Sequence, residues 1–246
     1  MTNTIDLHVH TTASDGKLAP FEVVDLAVKC KLKAMAITDH DTVDGLKEAI
    51  SYGKGKNIEI IPGIEISCDE PEFTDVHILG LFINYKNKKL NNLISKAKRL
   101  RLQQKKDIVD NLIKLGFKIS FAALRRISKG EISRKHIAEI LLQQNPSKFS
   151  SISEIFDKYL GIGKQAYVAR KEVISIKEAV TAIKFAGGVT ILAHPAAHLN
   201  YSPLIRYFKE CGGDGIETIS ILFYLKEEDI PIQLSHLSLG SLNQLI

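Results

Sequence analysis

Four β-prone segments of this 246-residue chain carry or end in a potential metal ligand: His8 with His10, Asp39-His40, Glu65 and His194. His77 sits in a further such segment. Side chains two apart on a strand point to one face, so His8 and His10 can converge on one point. The turn Ser14-Asp15-Gly16 then adds a carboxylate just beyond them. One buried histidine at a strand end is commonly a satisfied core residue. A series of imidazoles and carboxylates at successive strand ends is not, because each costs desolvation energy unless it is paired or bound to metal. In a barrel of parallel strands the carboxyl ends meet on one face, where catalytic loops lie. The pattern therefore points to an α/β fold that gathers these residues into a metal centre.

The segments between them agree. Pro20–Val28 reads as a helix with Phe21, Val24 and Val28 on one stripe. Lys33–Thr38 is a short buried strand, Thr42–Lys54 a helix, and Ile58–Ser67 a strand with a break at Pro62-Gly63. Asp75–Ile83 is a fourth strand. That rhythm predicts a parallel sheet or barrel. From Leu90 to Leu160 the pattern is helical, punctuated by Gly116, Gly130 and Pro146. The α/β rhythm resumes with a helix over Ile176–Phe185, the strand Val189–Ala193, a helix near Pro203–Cys211 and a strand at Gly215-Ile216-Glu217. The domain expectation is a barrel from 1–89 and 166–246, with 90–165 as an inserted helical cap.

Charge follows the same division. Residues 86–135 hold 16 Lys and Arg against 3 Asp and Glu, a net +13, and the remainder is net −8. A basic segment beside an acidic, histidine-bearing body fits a metal centre facing an anion-attracting cap. Most of those lysines are explained equally well as a solvated helix face. Cys30, Cys68 and Cys211 form no Cys-x-x-Cys, and they read as buried structural thiols in a reducing compartment. No apolar run approaches the roughly 20 residues of a membrane span, and the N-terminus lacks the regions of a signal peptide. The expectation is a cytoplasmic protein with no membrane partner.

The motifs resemble those of the PHP family, named for polymerase and histidinol phosphatase. Asp6-Leu7-His8-Val9-His10-Thr11 with Ser14-Asp15-Gly16 is similar to its first motif, and Ile37-Thr38-Asp39-His40-Asp41 to its second. Gly63-Ile64-Glu65-Ile66-Ser67 is similar to the third and Ala193-His194-Pro195 to a later one. The likeness is to the small stand-alone branch acting on nucleotides or RNA ends. That branch carries a helical insertion with patterns like Ser133-Arg134-Lys135-His136-Ile137-Ala138 and Tyr159-Leu160-Gly161 through Tyr167-Val168.

The resemblance implies a distorted (β/α)7 TIM-like barrel of PHP type holding up to three divalent ions. His8, His10 and Glu65 would hold the first ion. Glu65 would bridge to a second, also held by His77 and His194. Asp15 and His40 would hold a third. Mixed imidazole and carboxylate ligands suit Mn²⁺, with Zn²⁺ or Fe²⁺ as alternatives, better than Ca²⁺ or Mg²⁺. The implied reaction is hydrolysis of a phosphate ester by metal-activated water, with no protein nucleophile. The substrate would be a nucleotide, such as a 3′,5′-bisphosphonucleotide, or an RNA 5′ end. Arg134 and His136, by their match to the family pattern, and Arg101 are the candidate substrate contacts; the guanidinium fork of an arginine matches phosphate oxygens. Arg170 is a weaker candidate, and His198 reads as a loop residue without a role.

One feature departs from the family. Its late Gly-Ser-Asp-x-His-type motif supplies an Asp to the first ion and a His to the third. After Glu217 this chain continues Thr218-Ile219-Ser220 without that motif, and Asp229 and His236 stand seven residues apart. The expectation is an incomplete C-terminal strand (through divergence, truncation or a frameshift), fewer ions and lowered activity. Two other classes stay open: a degenerate PHP-like metal-binding module, and a basic RNA-binding accessory protein.

Overall fold

The computed structural model describes residues 4–128, 132–169, 172–198 and 201–218. Gly130, Arg170, Asp229 and His236 lie outside the described residues, as does the expected C-terminal strand. The described residues of Met1–Ser95 and Ile174–Ile246 form one compact unit, and those of Lys96–Val173 form another.

The first unit is built on a six-stranded sheet in the spatial order β1-β2-β3-β4-β5-β6. The strands are β1 (Ile5–Val9), β2 (Ala34–Ile37), β3 (Glu59–Cys68), β4 (Val76–Leu81), β5 (Val189–Leu192) and β6 (Gly215–Ile216). Helix α1 (Pro20–Lys29) links β1 to β2, and α2 (Leu46–Gly53) links β2 to β3. Pro20 begins α1, where its missing N–H costs nothing. Val23, Val24 and Ala27 form its buried stripe. The predicted second helix is shorter than its pattern, because Thr42 and Val43 are not helical and Asp44-Gly45 form a turn before Leu46.

β1, β2 and β3 run parallel, as do β5 and β6, but β4 is antiparallel to both β3 and β5. An all-parallel sheet is thus corrected at one strand. The reason is legible in the connection: only residues 69–75 separate β3 from β4. A parallel crossover needs a dozen residues or more, whereas a reversal does not. The break predicted at Pro62-Gly63 is instead a change of partner within one long strand. β3 pairs with β2 through Pro62 and with β4 from Gly63 onward. Gly63 permits that exchange, since a Cβ there would sit 2.8 Å from Thr38 Cγ2 and 2.9 Å from the Ile37 carbonyl oxygen.

Beneath the strand ends Ile5, Leu7, Ala36, Ile61 and Leu81 form an apolar cluster. Helix α7 (Ile176–Phe185) precedes β5, its N-terminus closed by a capping box between Ser175 and Glu178. Helix α8 (Tyr201–Glu210) precedes β6 and buries Leu204 and Phe208.

Helix α3 (Lys88–Lys114) begins in the first unit and continues into the second. Its buried residues Leu90, Ile94, Ala97, Leu100, Gln104, Ile108 and Leu112 recur at helical spacing. Most of the lysines therefore fall on the solvated face. Lys105 does not: it is buried, and its Nζ donates to Gln104 Oε1 at 3.1 Å. The second unit also contains α4 (Phe121–Ile127), α5 (Arg134–Gln144), α6 (Ile152–Ile155) and a π-helical turn at Phe156–Leu160. Its own core includes Ile108, Leu112, Leu124, Ile137, Leu141 and Phe149. Among the described residues no helix is long and apolar enough to cross a membrane. The three cysteines are in no disulfide among the described residues, and they are not alike. Cys68 is buried, Cys211 is half-buried and Cys30 is exposed, which corrects the expectation that all three are core residues.

Candidate metal centre

The strand directions decide which residues meet. β1, β2, β3, β5 and β6 point their carboxyl ends the same way, and β4 presents its amino end there. His8 lies near the end of β1 and His10 just past it, His40 follows β2, His77 is the second residue of β4, and His194 follows β5. Glu65 sits in the part of β3 that runs on beyond β2, bridged to His40 in parallel fashion. The Asp41 N–H donates to the Glu65 carbonyl at 2.8 Å, and the Glu65 N–H to the Asp39 carbonyl at 3.2 Å, which fixes that bridge.

Glu65 is the hub. Its side chain is 1% exposed, and each carboxylate oxygen faces its own set of nitrogens. Oε2 lies 3.2 Å from His8 Nε2 and 3.1 Å from His10 Nε2, and those two nitrogens are 3.1 Å apart. Oε1 lies 3.2 Å from His77 Nδ1 and 3.1 Å from His194 Nε2, and those two are 3.2 Å apart. Two triangles of ligand atoms thus share one carboxylate. His40 Nδ1 stands 3.2 Å from Oε2. His10 turns its other nitrogen, Nδ1, toward Asp15 Oδ1 at 3.5 Å, and His10, Asp15 and His40 form a third candidate cluster. All seven candidate ligands, His8, His10, Asp15, His40, Glu65, His77 and His194, come together here, while Arg134, His136 and Arg101 belong to the second unit.

The donor set fits metal ions. Atoms bound tetrahedrally at about 2.0–2.1 Å from one ion are about 3.4 Å from each other, and the edges of both triangles are close to that. Hydrogen bonding alone does not account for the convergence. Glu65 Oε2 is buried without a hydrogen-bond partner although three imidazole nitrogens crowd it. Two neutral imidazoles facing nitrogen to nitrogen can share only one proton between them.

Electrostatics follow from this crowding. Burial pushes the Glu65 carboxyl up, but the His40, His8 and His77 imidazoles outweigh it and hold it well below the usual range. Burial pushes His8 down, yet the Glu65 carboxylate and the Glu217 hydrogen bond raise it to about 10. His77 is raised in the same way, Glu65 overcoming burial. The buried carboxylate favours positive charge beside it, and a cation bound there would have to displace the protons from His8 and His77.

Two further residues shape the site. Asp39, grouped with the strand-end ligands by its sequence position, instead anchors the loop after β1. Its carboxylate accepts the Thr11 N–H and hydroxyl, each at 2.7 Å, and the Ser14 hydroxyl at 2.6 Å. That loop carries His10 and Asp15. Gly16 closes it so tightly that a Cβ would lie 2.5 Å from the His10 carbonyl oxygen. Glu217, read in the sequence only as the end of a strand, reaches His8 and His194. Oε1 is 3.4 Å from His8 Nδ1, and Oε2 accepts the His194 backbone N–H at 2.6 Å. The signal that could have found it is positional: Glu217 also ends a parallel strand. His198 follows a short 3-10 turn at Pro195–Ala197, where burial pushes its imidazole down.

In the second unit, Ser133 caps α5, accepting the His136 N–H at 3.3 Å, and His136 Nδ1 accepts the Ser133 N–H at 3.1 Å. The Arg134 guanidinium lies 6.0 Å from the Tyr167 ring centroid.

Residues 6–170 match the family model described as PHP domain. A 5′-3′ exoribonuclease of Haemophilus influenzae is 38% identical over 88% of this chain and 79% of its own length. A 3′,5′-nucleoside bisphosphate phosphatase of Chromobacterium violaceum is 35% identical over 88% of this chain and 76% of its own. The solved structure of a Bifidobacterium adolescentis protein, assigned as a metal-dependent phosphoesterase, superposes with a TM-score of 0.77. It is 27% identical and covers 87% of this chain and 76% of its own.

Proposed function

The chain belongs to the PHP domain family, and on that premise we propose that it is a metal-dependent phosphoesterase acting on a nucleotide or an RNA 5′ end. The observation that carries this reading is the single buried carboxylate shared by two imidazole pairs. His8 and His10 with Glu65 Oε2 would hold one ion. His77 and His194 with Oε1 would hold a second. Asp15 and His40, with the outer nitrogen of His10, would hold a third. Imidazole with carboxylate favours Mn²⁺, Zn²⁺ or Fe²⁺ over harder cations.

Ions held by these residues would lower the pKa of bound water toward neutrality and would neutralise charge on a phosphate. The chain's residues supply the frame. Glu65 keeps two ligand sets at fixed separation. Asp39 holds the loop bearing His10 and Asp15. The Ser14 hydroxyl is committed to Asp39 at 2.6 Å, so it serves the loop rather than attack. Arg134 and His136 are assigned to substrate on their match to the family pattern, with Arg134 offering a fork of donors suited to phosphate, and Arg101 is added as a further guanidinium on the basic helix. The relatives named for a nucleoside bisphosphate and for RNA support this substrate class.

The test is hydrolysis by chelator-stripped protein with and without added Mn²⁺. The substrates are a 3′,5′-bisphosphonucleotide and a 5′-phosphorylated oligoribonucleotide. Release of phosphate or mononucleotide only with metal is the expected result. Metal binding without hydrolysis of either substrate would leave the degenerate metal-binding module as the correct reading.

A further inference from the structure

We propose that Glu217 is a positioning residue that sets the tautomer of His8, and so decides whether the first of the two Glu65-sharing metal sites forms. The inference rests on the metal-centre reading and extends it to a residue outside the ligand set.

The geometry separates the two faces of His8. Nε2 points to Glu65 Oε2 at 3.2 Å and to His10 Nε2 at 3.1 Å. Nδ1 points away from that triangle to Glu217 Oε1 at 3.4 Å. Glu217 therefore stands behind the ligand, not among the ligands. An imidazole that offers Nε2 to a cation carries its proton on Nδ1, and the carboxylate is placed to accept that proton. Carboxylates behind ligating histidines commonly fix orientation in this way.

The other oxygen of Glu217 fixes the carboxylate itself. Oε2 accepts the His194 N–H at 2.6 Å, much the shorter of its two contacts. Charge-assisted bonds of that length are strong. The Glu217 N–H donates to the Leu192 carbonyl at 2.9 Å, so its backbone is held by the β5–β6 pairing. His194 has φ of 30°, in the left-handed region that a non-glycine residue enters only at a cost. The bond to its N–H helps hold that conformation, which aims Nε2 at Glu65. One carboxylate thus serves a histidine from each Glu65-sharing triangle, but by different means: a backbone clamp for His194 and a proton acceptor for His8.

The difference makes the role testable with an isosteric change. In Glu217→Gln the amide oxygen keeps the His194 N–H, which can only donate. The amide nitrogen then faces His8 Nδ1, which must accept. The His8 proton moves to Nε2, and Nε2 no longer has a lone pair for a cation. Glu217→Asp cannot do this, because both its oxygens accept.

The experiment is calorimetric titration of Mn²⁺ into chelator-stripped wild type, Glu217→Gln and Glu217→Asp, with thermal melting of each metal-free protein. The expected result is one class of sites weakened about 10–100-fold in Glu217→Gln. A second class should keep wild-type affinity, and the metal-free melting temperature should stay close to wild type. Glu217→Asp should retain more of the first-site affinity than Glu217→Gln. Equal weakening of all sites with a lowered metal-free melting temperature would make Glu217 a structural brace and overturn the proposal. So would Asp and Gln variants that behave alike, or a Gln variant that binds as wild type does. A wild type that binds no Mn²⁺ removes the metal centre, and this inference with it. A wild type that binds while Glu217→Gln is unchanged removes only the role of Glu217.

Discussion

Glu65 Oε1 and His77 Nδ1 meet at 3.2 Å although they lie on neighbouring strands that run in opposite directions. The reversal is what makes the contact. The second residue of an antiparallel strand reaches the same face as residues at the ends of parallel ones. Glu65 is then the sole carboxylate between two pairs of imidazoles among the described residues, and its loss should be felt by both.

Glu65→Gln should therefore cost Mn²⁺ binding at both shared sites, by at least about a hundredfold, more than a change behind the ligands. The metal-free variant should also melt lower, because the His8 and His77 imidazoles lose the buried carboxylate that raises them, and breaking a buried pair is destabilising. Titration calorimetry beside metal-free melting reads both quantities. Loss of only one equivalent of metal would mean that Glu65 does not bridge.

Asp39 makes a different prediction, about stability. It accepts three hydrogen bonds from Thr11 and Ser14 while almost wholly buried. Asp39→Ala should destabilise the metal-free protein by about 3 kcal/mol, since bonds to charged groups contribute about 1.5–3 kcal/mol each and are not additive. Urea unfolding measures it. A cost below about 1 kcal/mol would show that the loop is held by other contacts.

The candidate ligands were legible in the sequence because most follow or interrupt a short apolar segment, as His8, His10, His40 and His194 do. Their common face was legible too, through the strand-helix rhythm. The direction of β4 was not read from periodicity, which is blind to strand sense, although the seven residues of 69–75 carried the answer. Asp39 and His40 are neighbours in an identical context, and only the fold shows that one turns to the Thr11 loop and the other to Glu65. Glu217 was missed because its partners are a ring nitrogen on β1 and a backbone N–H after β5, and its position at the end of a short strand, the one signal available, shows neither contact. Lys105 was hidden in a run of solvated lysines, since helical phase near the edge of a buried stripe does not fix a long side chain's path.

The substrate assignment predicts a change that leaves the metals alone. Arg134 opens α5 behind the Ser133 cap and lies over the Tyr167 ring. If its guanidinium serves the substrate phosphate, Arg134→Ala should raise KM about tenfold, the scale of one charge-assisted hydrogen bond. Mn²⁺ content per chain should be unchanged. An unaltered KM, or a parallel loss of metal, would assign Arg134 to the fold of its own unit instead.

Acid stability should be set in part by Asp214, near the start of β6. Burial pushes its carboxyl up, but the Lys184 ammonium at 2.9 Å and the Thr190 N–H and hydroxyl, at 2.9 and 2.7 Å, outweigh this and lower it. A carboxyl lowered in the folded state contributes stability that is fully present above its unfolded pKa of about 3.9 and is lost as pH falls through the lower folded value. Asp214→Asn should therefore be less stable than wild type at pH 7, by about 1 kcal/mol once solvent screening of this one-third-exposed side chain is allowed for. The gap should stay constant down to about pH 5 and close below about pH 4 as the wild-type carboxyl takes up its proton. Urea unfolding of metal-free protein at a series of pH values reads the gap directly. A difference that persists undiminished at pH 2 would show that Asp214 stabilises the β5–β6 pairing through shape and neutral hydrogen bonds rather than through its charge.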